Sequence, residues 1–152
     1  MIQRKQTIFL LLSCVFAMVC LCLPIGSFTP EGMGVDSTMY NLWTVLENGQ
    51  HDYSVWPLFA ILLVACTVNL VDIFLFKNRI LQARLCLVSM VLFVLWYAVY
   101  AFFGFNTSET LKASFHVDFC ACLPFISLVL TFLARKGILA DERLVRSMDR
   151  IR

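Results

Sequence analysis

Four long apolar runs, at about 7–26, 56–76, 83–105 and 117–134, constrain this chain more than any other feature. Each approaches the roughly 20 residues that an α-helix needs to cross a hydrocarbon core. Lipid offers backbone N–H and C=O groups no water, so a spanning segment must satisfy them as a helix or within a closed barrel. The runs are apolar on every face and lack the period-2 alternation of barrel strands, so they read as helices. Charged residues make up only 14% of the chain, against about a quarter in soluble domains. That is too little charge to cover a water-soluble surface. The predicted fold is all-α: an integral membrane four-helix transmembrane bundle over residues 1–152, with an outer loop at 27–55. A short cytoplasmic amphipathic helix is expected within the tail, 135–152.

The first run follows "MIQRK" and resembles the n-region and h-region of a signal peptide. It is long for one, and no small-x-small cleavage site follows, so a retained span is expected. Orientation follows from lysine and arginine in the short loops. Eleven basic residues (Arg4, Lys5, Lys77, Arg79, Arg84, Arg135, Lys136, Arg143, Arg146, Arg150 and Arg152) fall on one side, and Lys112 alone on the other. Both termini are therefore expected in the cytoplasm, with 27–55 and 106–116 facing outward. Basic residues clustered beside apolar runs do not form a nucleic-acid face.

Pro24, Gly26, Pro30, Gly32 and Gly34 mark turns at the start of the outer loop, and "STMYNLWTVLEN" is expected as a short amphipathic helix capped by Ser37. Trp43 and Trp56 suit headgroup depth. Ser54 and Pro57 are expected to start the second span. Asn106 with Glu109 reads as a capping pair that begins the fourth span outside the membrane. Pro124, inside that span, is expected to kink it. Ser127 and Thr131 are candidate interhelical hydrogen bonders.

Asp72 and Asn69 lie one turn apart on the same face of the second span. A carboxylate there is costly, so an ion pair with Arg79, Arg84 or Arg4 is expected, and breaking such a pair would destabilise the bundle. The alternative use of Asp72 and Asn69 is a proton or ion path. Cys20 and Cys22 near one outer helix end, with Cys120 and Cys122 near another, invite a redox or soft-metal reading. Residues two apart on a helix point about 200° apart, however, and cysteine also packs as a small hydrophobe. His116 and Asp118 with His51 and Asp52 lack a third strong ligand. No cofactor or metal is therefore expected, and no phosphate loop, HExxH or nucleophile motif marks an enzyme.

In the tail, Asp141 reads as an N-cap, Glu142 and Arg146 as a favourable i,i+4 pair, and Leu144, Val145, Met148 and Ile151 as an apolar stripe. Arg143, Arg146 and Arg150 line another face. The stripe is expected to pack on residues 77–84, leaving the arginines to acidic groups there or on a partner.

"MIQRKQT" at 1–7, "KNRILQARL" at 77–85 and "DERLVRSMDRIR" at 141–152 resemble, in order, the cytoplasmic signatures of a Bacteroidota family of small four-span membrane proteins. That family is catalogued as a domain of unknown function. Lys5 departs from it, standing where an apolar residue is expected. The resemblance spans essentially the whole chain and implies a bacterial inner-membrane location, but it brings no activity and no catalytic residues. The functional expectation is an accessory or structural protein, not an enzyme, whose surroundings are the lipid bilayer and whose cytoplasmic face docks a protein partner. A small transporter or channel subunit using Asp72 and Asn69 is the alternative, and a membrane thiol oxidoreductase the third.

Overall fold

Helix α1 occupies Gln3–Cys22, α2 Trp56–Phe74, α3 Arg79–Leu111 and α4 Leu123–Asp149. This is seen in a computed structural model, which describes residues 3–30, 35–46, 48–75 and 78–149; the side chains of 3–5, 111, 146, 148 and 149 lie outside that description. Each helix packs on two neighbours, α1 on α2 and α4, and α3 on α2 and α4. Among the described residues α2, α3 and the stretch Phe119–Val145 are long and apolar enough to cross a membrane, while the apolar part of α1, Gln6–Cys22, is shorter.

The helix boundaries have local causes. Pro57 lies in the first turn of α2, where its missing N–H costs nothing. Ser54, expected at that N-cap, instead bonds Asp52 through both its amide (3.0 Å) and its hydroxyl (2.9 Å), so the helix starts without a side-chain cap. Helix α3 runs through Asn106 and Glu109 and stops where Lys112 turns left-handed at φ 46°. Asn106 and Glu109 are thus interior residues, not the caps expected from their spacing. Pro124 is the second residue of α4, directly after a 3₁₀ turn at Phe119–Cys122, so it marks the start of the helix and does not kink its interior.

The chain is not all-α. Five short strands, β1 Gly26–Pro30, β2 Ser37–Met39, β3 Thr44–Val45, β4 His51–Asp52 and β5 Ala113–Val117, form an antiparallel sheet in the order β4-β3-β2-β1-β5. The helix expected from Ser37 onward is therefore two strands joined by a tight turn in which the Tyr40 amide bonds the Trp43 carbonyl at 2.8 Å. Strand β1 leaves α1 and β5 leaves α3, and the two pair along five residues from Gly26↔Val117 to Pro30↔Ala113. That pairing brings the C-terminal ends of α1 and α3 to one end of the molecule, the sheet end. The α2–α3 turn and the C-terminal part of α4 lie at the other, which carries Arg79, Arg84, Arg135 and Arg143 and is called the basic end below.

The separate tail helix is also absent. Helix α4 continues without a break from Leu123 to Asp149, so Asp141 is interior to it and caps nothing. The residues ahead of Asp141, Gly137 to Ala140, offer no proline or left-handed break to stop it.

Side chains sort inside-out by the standard of a soluble protein. Leu63, Val91, Val94, Phe125 and Phe132 are exposed along the helices, whereas Ser13, Asn69, Asp72, Ser89, Ser127 and Thr131 are fully buried. The central core joins helices to sheet through Leu58, Leu62, Phe93 and Trp96 on one side and Ile25, Phe28 and Met39 on the other. A smaller cluster of Leu10, Ala83, Cys86, Ala134 and Ile138 closes the basic end.

Candidate functional site

Two groups of polar side chains stand out, one enclosed by the helices and one at the basic end. In the first, a chain of hydrogen bonds links three helices. The Ser13 hydroxyl on α1 donates to the Ser127 carbonyl on α4 at 2.9 Å and also meets the Thr131 hydroxyl at 2.9 Å. The Ser127 hydroxyl returns a bond to the Ser13 carbonyl at 2.9 Å. Asn69 on α2 donates from Nδ2 to Ser13 Oγ at 3.1 Å. Ser127 and Thr131 therefore bond across helices as their placement in an apolar run predicts. A lone hydroxyl facing hydrocarbon would lose its partners.

Asp72 lies one turn along α2 from Asn69 and is equally buried, but its partner is not the one expected. Its Oδ2 accepts from the Cys86 thiol of α3 at 2.8 Å, and Oδ1 has no partner among the described residues. Gln82 Nε2 donates to the Asp72 main-chain oxygen at 3.1 Å. Arg79 Nη1 reaches the Asp141 carbonyl on α4 at 3.4 Å instead, and Arg84 lines a surface groove. No ion pair ties Asp72 to Arg79 or Arg84, and the Arg4 side chain lies outside the described residues. The physical reason is direction: Asp72 faces inward, while the two arginines stand on the α3 turns that look towards α4. Asn69 Oδ1 and Ser89 Oγ share with Asp72 Oδ1 the condition of a buried oxygen without a hydrogen-bond partner.

This arrangement reverses the sign of one expectation. Neutralising an ion-paired Asp72 would destabilise the helices, but here a carboxyl is enclosed with one weak thiol donor. Asp72→Asn keeps the shape and removes an ionisable group whose burial is costly. The variant is expected to be more stable than the parent by about 1–2 kcal/mol, less than the penalty at mid-bilayer because Asp72 is near the helix end. Thermal unfolding in detergent beside Asn106→Asp, an exposed control, checks this. A clear drop for Asp72→Asn would reinstate a cationic partner.

The basic end draws together residues from three distant segments. Gln6 Nε2 donates to Asp141 Oδ2 at 2.6 Å, Arg79 reaches the carbonyl of the same residue, and Arg135 Nε donates to the Ala83 carbonyl at 3.2 Å. Gly137 lets α1 come close, since a Cβ there would stand 3.1 Å from Gln6 Cγ. Between α3 and α4 lie two adjoining hollows of about 650 and 370 Å³ that share Ile80, Arg84 and Glu142. The contact between the tail and residues 78–84 is thus made by Asp141 and the rim of a groove. Of the described part of the apolar stripe, Val145 lines the larger hollow with Asn78, Ile80 and Leu81 yet stays 44% exposed, and Leu144 is 57% exposed. Arg143 is exposed beside them, whereas the Arg146 side chain, Met148's side chain, Arg150 and Ile151 fall outside the described residues.

Among the cysteines, Cys20 is buried and Cys22 exposed, as a 200° separation requires, and Cys120 and Cys122 are likewise unequal. Several participants were not singled out from the sequence. Cys86 reads as a small hydrophobe, and Arg135 as one more basic residue. Gln6 and Gln82 lie in the first two resembling segments, the one signal that touched them; Asp141 was singled out, but as a helix cap and not as the partner of Gln6.

A family model described as a domain of unknown function (DUF4293) matches residues 2–151. No curated protein matches the chain.

Proposed function

The chain belongs to the family described as a domain of unknown function (DUF4293), and from that membership we propose a non-catalytic accessory protein of a bacterial, Bacteroidota-type inner membrane. It crosses the bilayer four times, with both termini and the basic end in the cytoplasm and the five-stranded sheet outside. The run lengths, the exposed apolar helix faces and the eleven-to-one basic asymmetry support this placement. Its task is to dock a cytoplasmic protein partner. The observation that carries this reading is the unbroken passage of α4 through Asp141 to Asp149, which presents exposed Arg143, Leu144 and Val145 on one continuous helix, with Val145 at the α3–α4 hollow. Exposed apolar side chains rimmed by charge mark an interaction surface.

Two measurements test it. In a cysteine-free background, an impermeant thiol reagent added outside is expected to label Asn48→Cys and not Ser147→Cys; the opposite pattern overturns the topology. A stoichiometric protein retained by the parent in native membranes is expected to be lost from Leu144→Asp/Val145→Asp and kept by Phe119→Asp at the sheet end. Equal retention by all three removes the docking face.

The second reading, a small transporter or channel subunit, draws on the buried oxygens of Asp72, Asn69 and Ser89 that lack hydrogen-bond partners. It predicts that Asp72→Asn abolishes a flux while leaving the fold intact. The described hollows lie at the two ends of the molecule and not beside Asp72, which places this reading second. A thiol oxidoreductase stands third, with only Cys22 and Cys122 among the paired cysteines well exposed.

A further inference from the structure

Arg84 and Arg135 are the innermost charged residues of the basic end on their helices. Beyond Arg84, α3 carries no charge until Glu109, and α4 carries none before Arg135. Both line the hollow of about 370 Å³ between α3 and α4, whose other walls include Ala83, Leu87, Val88 and Leu139. The Arg135 bond to the Ala83 carbonyl holds the two helices together at this depth. The adjoining hollow of about 650 Å³ adds Arg79 on the side away from the apolar belt. Three arginines thus meet one acid, Glu142, around a groove whose deep side is hydrocarbon. Leu87 and Val88 are each 45% exposed and continue along α3 into exposed Val91 and Val94.

A polar rim with excess positive charge at the boundary of an apolar belt, opening onto an apolar channel, matches one amphiphile. The geometry points to a binding site for an anionic membrane phospholipid in the α3–α4 groove, its phosphodiester between Arg84 and Arg135 and an acyl chain along Leu87 and Val88. Arginine suits the phosphate because its planar fork can bond two oxygens at once. Basic hollows between helices on the cytoplasmic side are where anionic headgroups are held. A polypeptide would not need the groove to run on into the lipid-facing side of α3. The site rests on the proposed membrane orientation; of the docking residues, Leu144 lines neither hollow, and Val145 lines only the outer one.

The test uses the full chain in nanodiscs of equal parts phosphatidylglycerol and phosphatidylcholine, followed by native mass spectrometry of the released protein. The parent is expected to retain phosphatidylglycerol in preference to phosphatidylcholine. Each cation near an anionic surface is worth roughly fivefold in affinity, so Arg84→Gln should lower retention about fivefold and Arg84→Gln/Arg135→Gln about 30-fold. Lys136→Gln, an exposed neighbour outside the groove, should leave it unchanged. Arg84 makes no part of the bond that joins the helices, so its variant tests charge without disturbing packing. Leu87→Trp fills the channel at an exposed position and keeps every cation; it too should lose phosphatidylglycerol. Leu144→Asp, at a position that lines neither hollow, should keep its lipid while losing the docked protein, so the docking proposal and this one fail separately. Equal retention of both lipids by the parent, or unchanged retention in either Arg84→Gln or Leu87→Trp, overturns the site.

Discussion

Replacing Asn41 by leucine is expected to destabilise the protein by about 3–4 kcal/mol, out of proportion to a single loop residue. Asn41 is fully buried at the sheet end, and its amide serves two helices at once. Nδ2 donates to the Cys20 carbonyl at 2.7 Å, and Oδ1 accepts from the Trp96 indole N–H at 3.1 Å. Its main-chain oxygen accepts from the Phe59 amide at 3.1 Å, so a third helix is held through the backbone. The Cys20 carbonyl belongs to the last turn of α1, where carbonyls have no intrahelical partner. Leucine keeps the branching of asparagine at Cγ but is larger, so no cavity arises; beside some overpacking, the loss is two buried polar groups left without partners. Each costs about 1–3 kcal/mol. Interhelical hydrogen bonds in membranes average nearer 0.6 kcal/mol, but that figure describes pairs whose members find other partners. Here the Cys20 carbonyl and the indole are enclosed by the core. Thermal unfolding beside Asn48→Leu, an exposed control, gives the measure. Trp96→Phe removes one stranded group, so Asn41→Leu should cost less in that background. Equal unfolding temperatures for Asn41→Leu and Asn48→Leu would show that the amide carries no such weight.

The second large effect is expected at Gly104, where valine should cost about 2–3 kcal/mol although it favours the helix over glycine by about 0.4 kcal/mol. A Cβ at Gly104 would stand 2.8 Å from Phe115 Cε1, and one at Gly26 would stand 2.7 Å from Phe115 Cε2. The Phe115 ring is therefore received between two glycines, one on α3 and one on β1, with Phe28 at 5.0 Å and Tyr100 at 5.7 Å between centroids. Phe115 keys β5, and through it the whole sheet, onto α3. Valine at 104 must push the ring out, and the β1–β5 pairing should loosen with it. Hydrogen exchange is expected to accelerate at residues 26–30 and 113–117 and to stay unchanged in α2. Phe115→Ala in the same chain removes the clash, so Gly104→Val should then become neutral or stabilising. If valine alone stabilises the parent, the ring has room that its contacts deny, and the keying argument is wrong.

Which of these features the chain announces depends on how local their cause is. The stretches 56–76 and 83–105 were legible as helices because an uninterrupted apolar run satisfies its own backbone bonds within four residues, and α2 and α3 stand there. Ser127 and Thr131 were legible for a related reason: hydroxyls four apart in an apolar run share one face and must find partners on another helix, and both do, Ser127 at the Ser13 carbonyl and Thr131 at the Ser13 hydroxyl. The sheet was not. Its strands are two to five residues long, too short for a period-2 pattern, and the partner of β1 lies beyond two intervening helices. Ser37 and the acidic residue at 109 carry capping chemistry that is valid locally, but strand pairing and the continuation of α3 overrode it.

The sequence by itself determined that helices occupy most of each apolar run and that Arg79, Arg84, Arg135 and Arg143 gather at one end, since both follow from composition over contiguous stretches. Only the tertiary structure decided what Asp72, Asn41 and Asp141 meet. Cys86 gives a carboxyl a thiol donor where charge balance called for arginine. Asn41 bonds a main-chain carbonyl, a group every residue owns and no sequence marks. Asp141, which has the chemistry of a helix cap, instead accepts from Gln6 across 135 positions of chain. In each case the partner is chosen by the direction a side chain takes from its helix and by which helix stands opposite, and those are properties of packing that no local pattern carries.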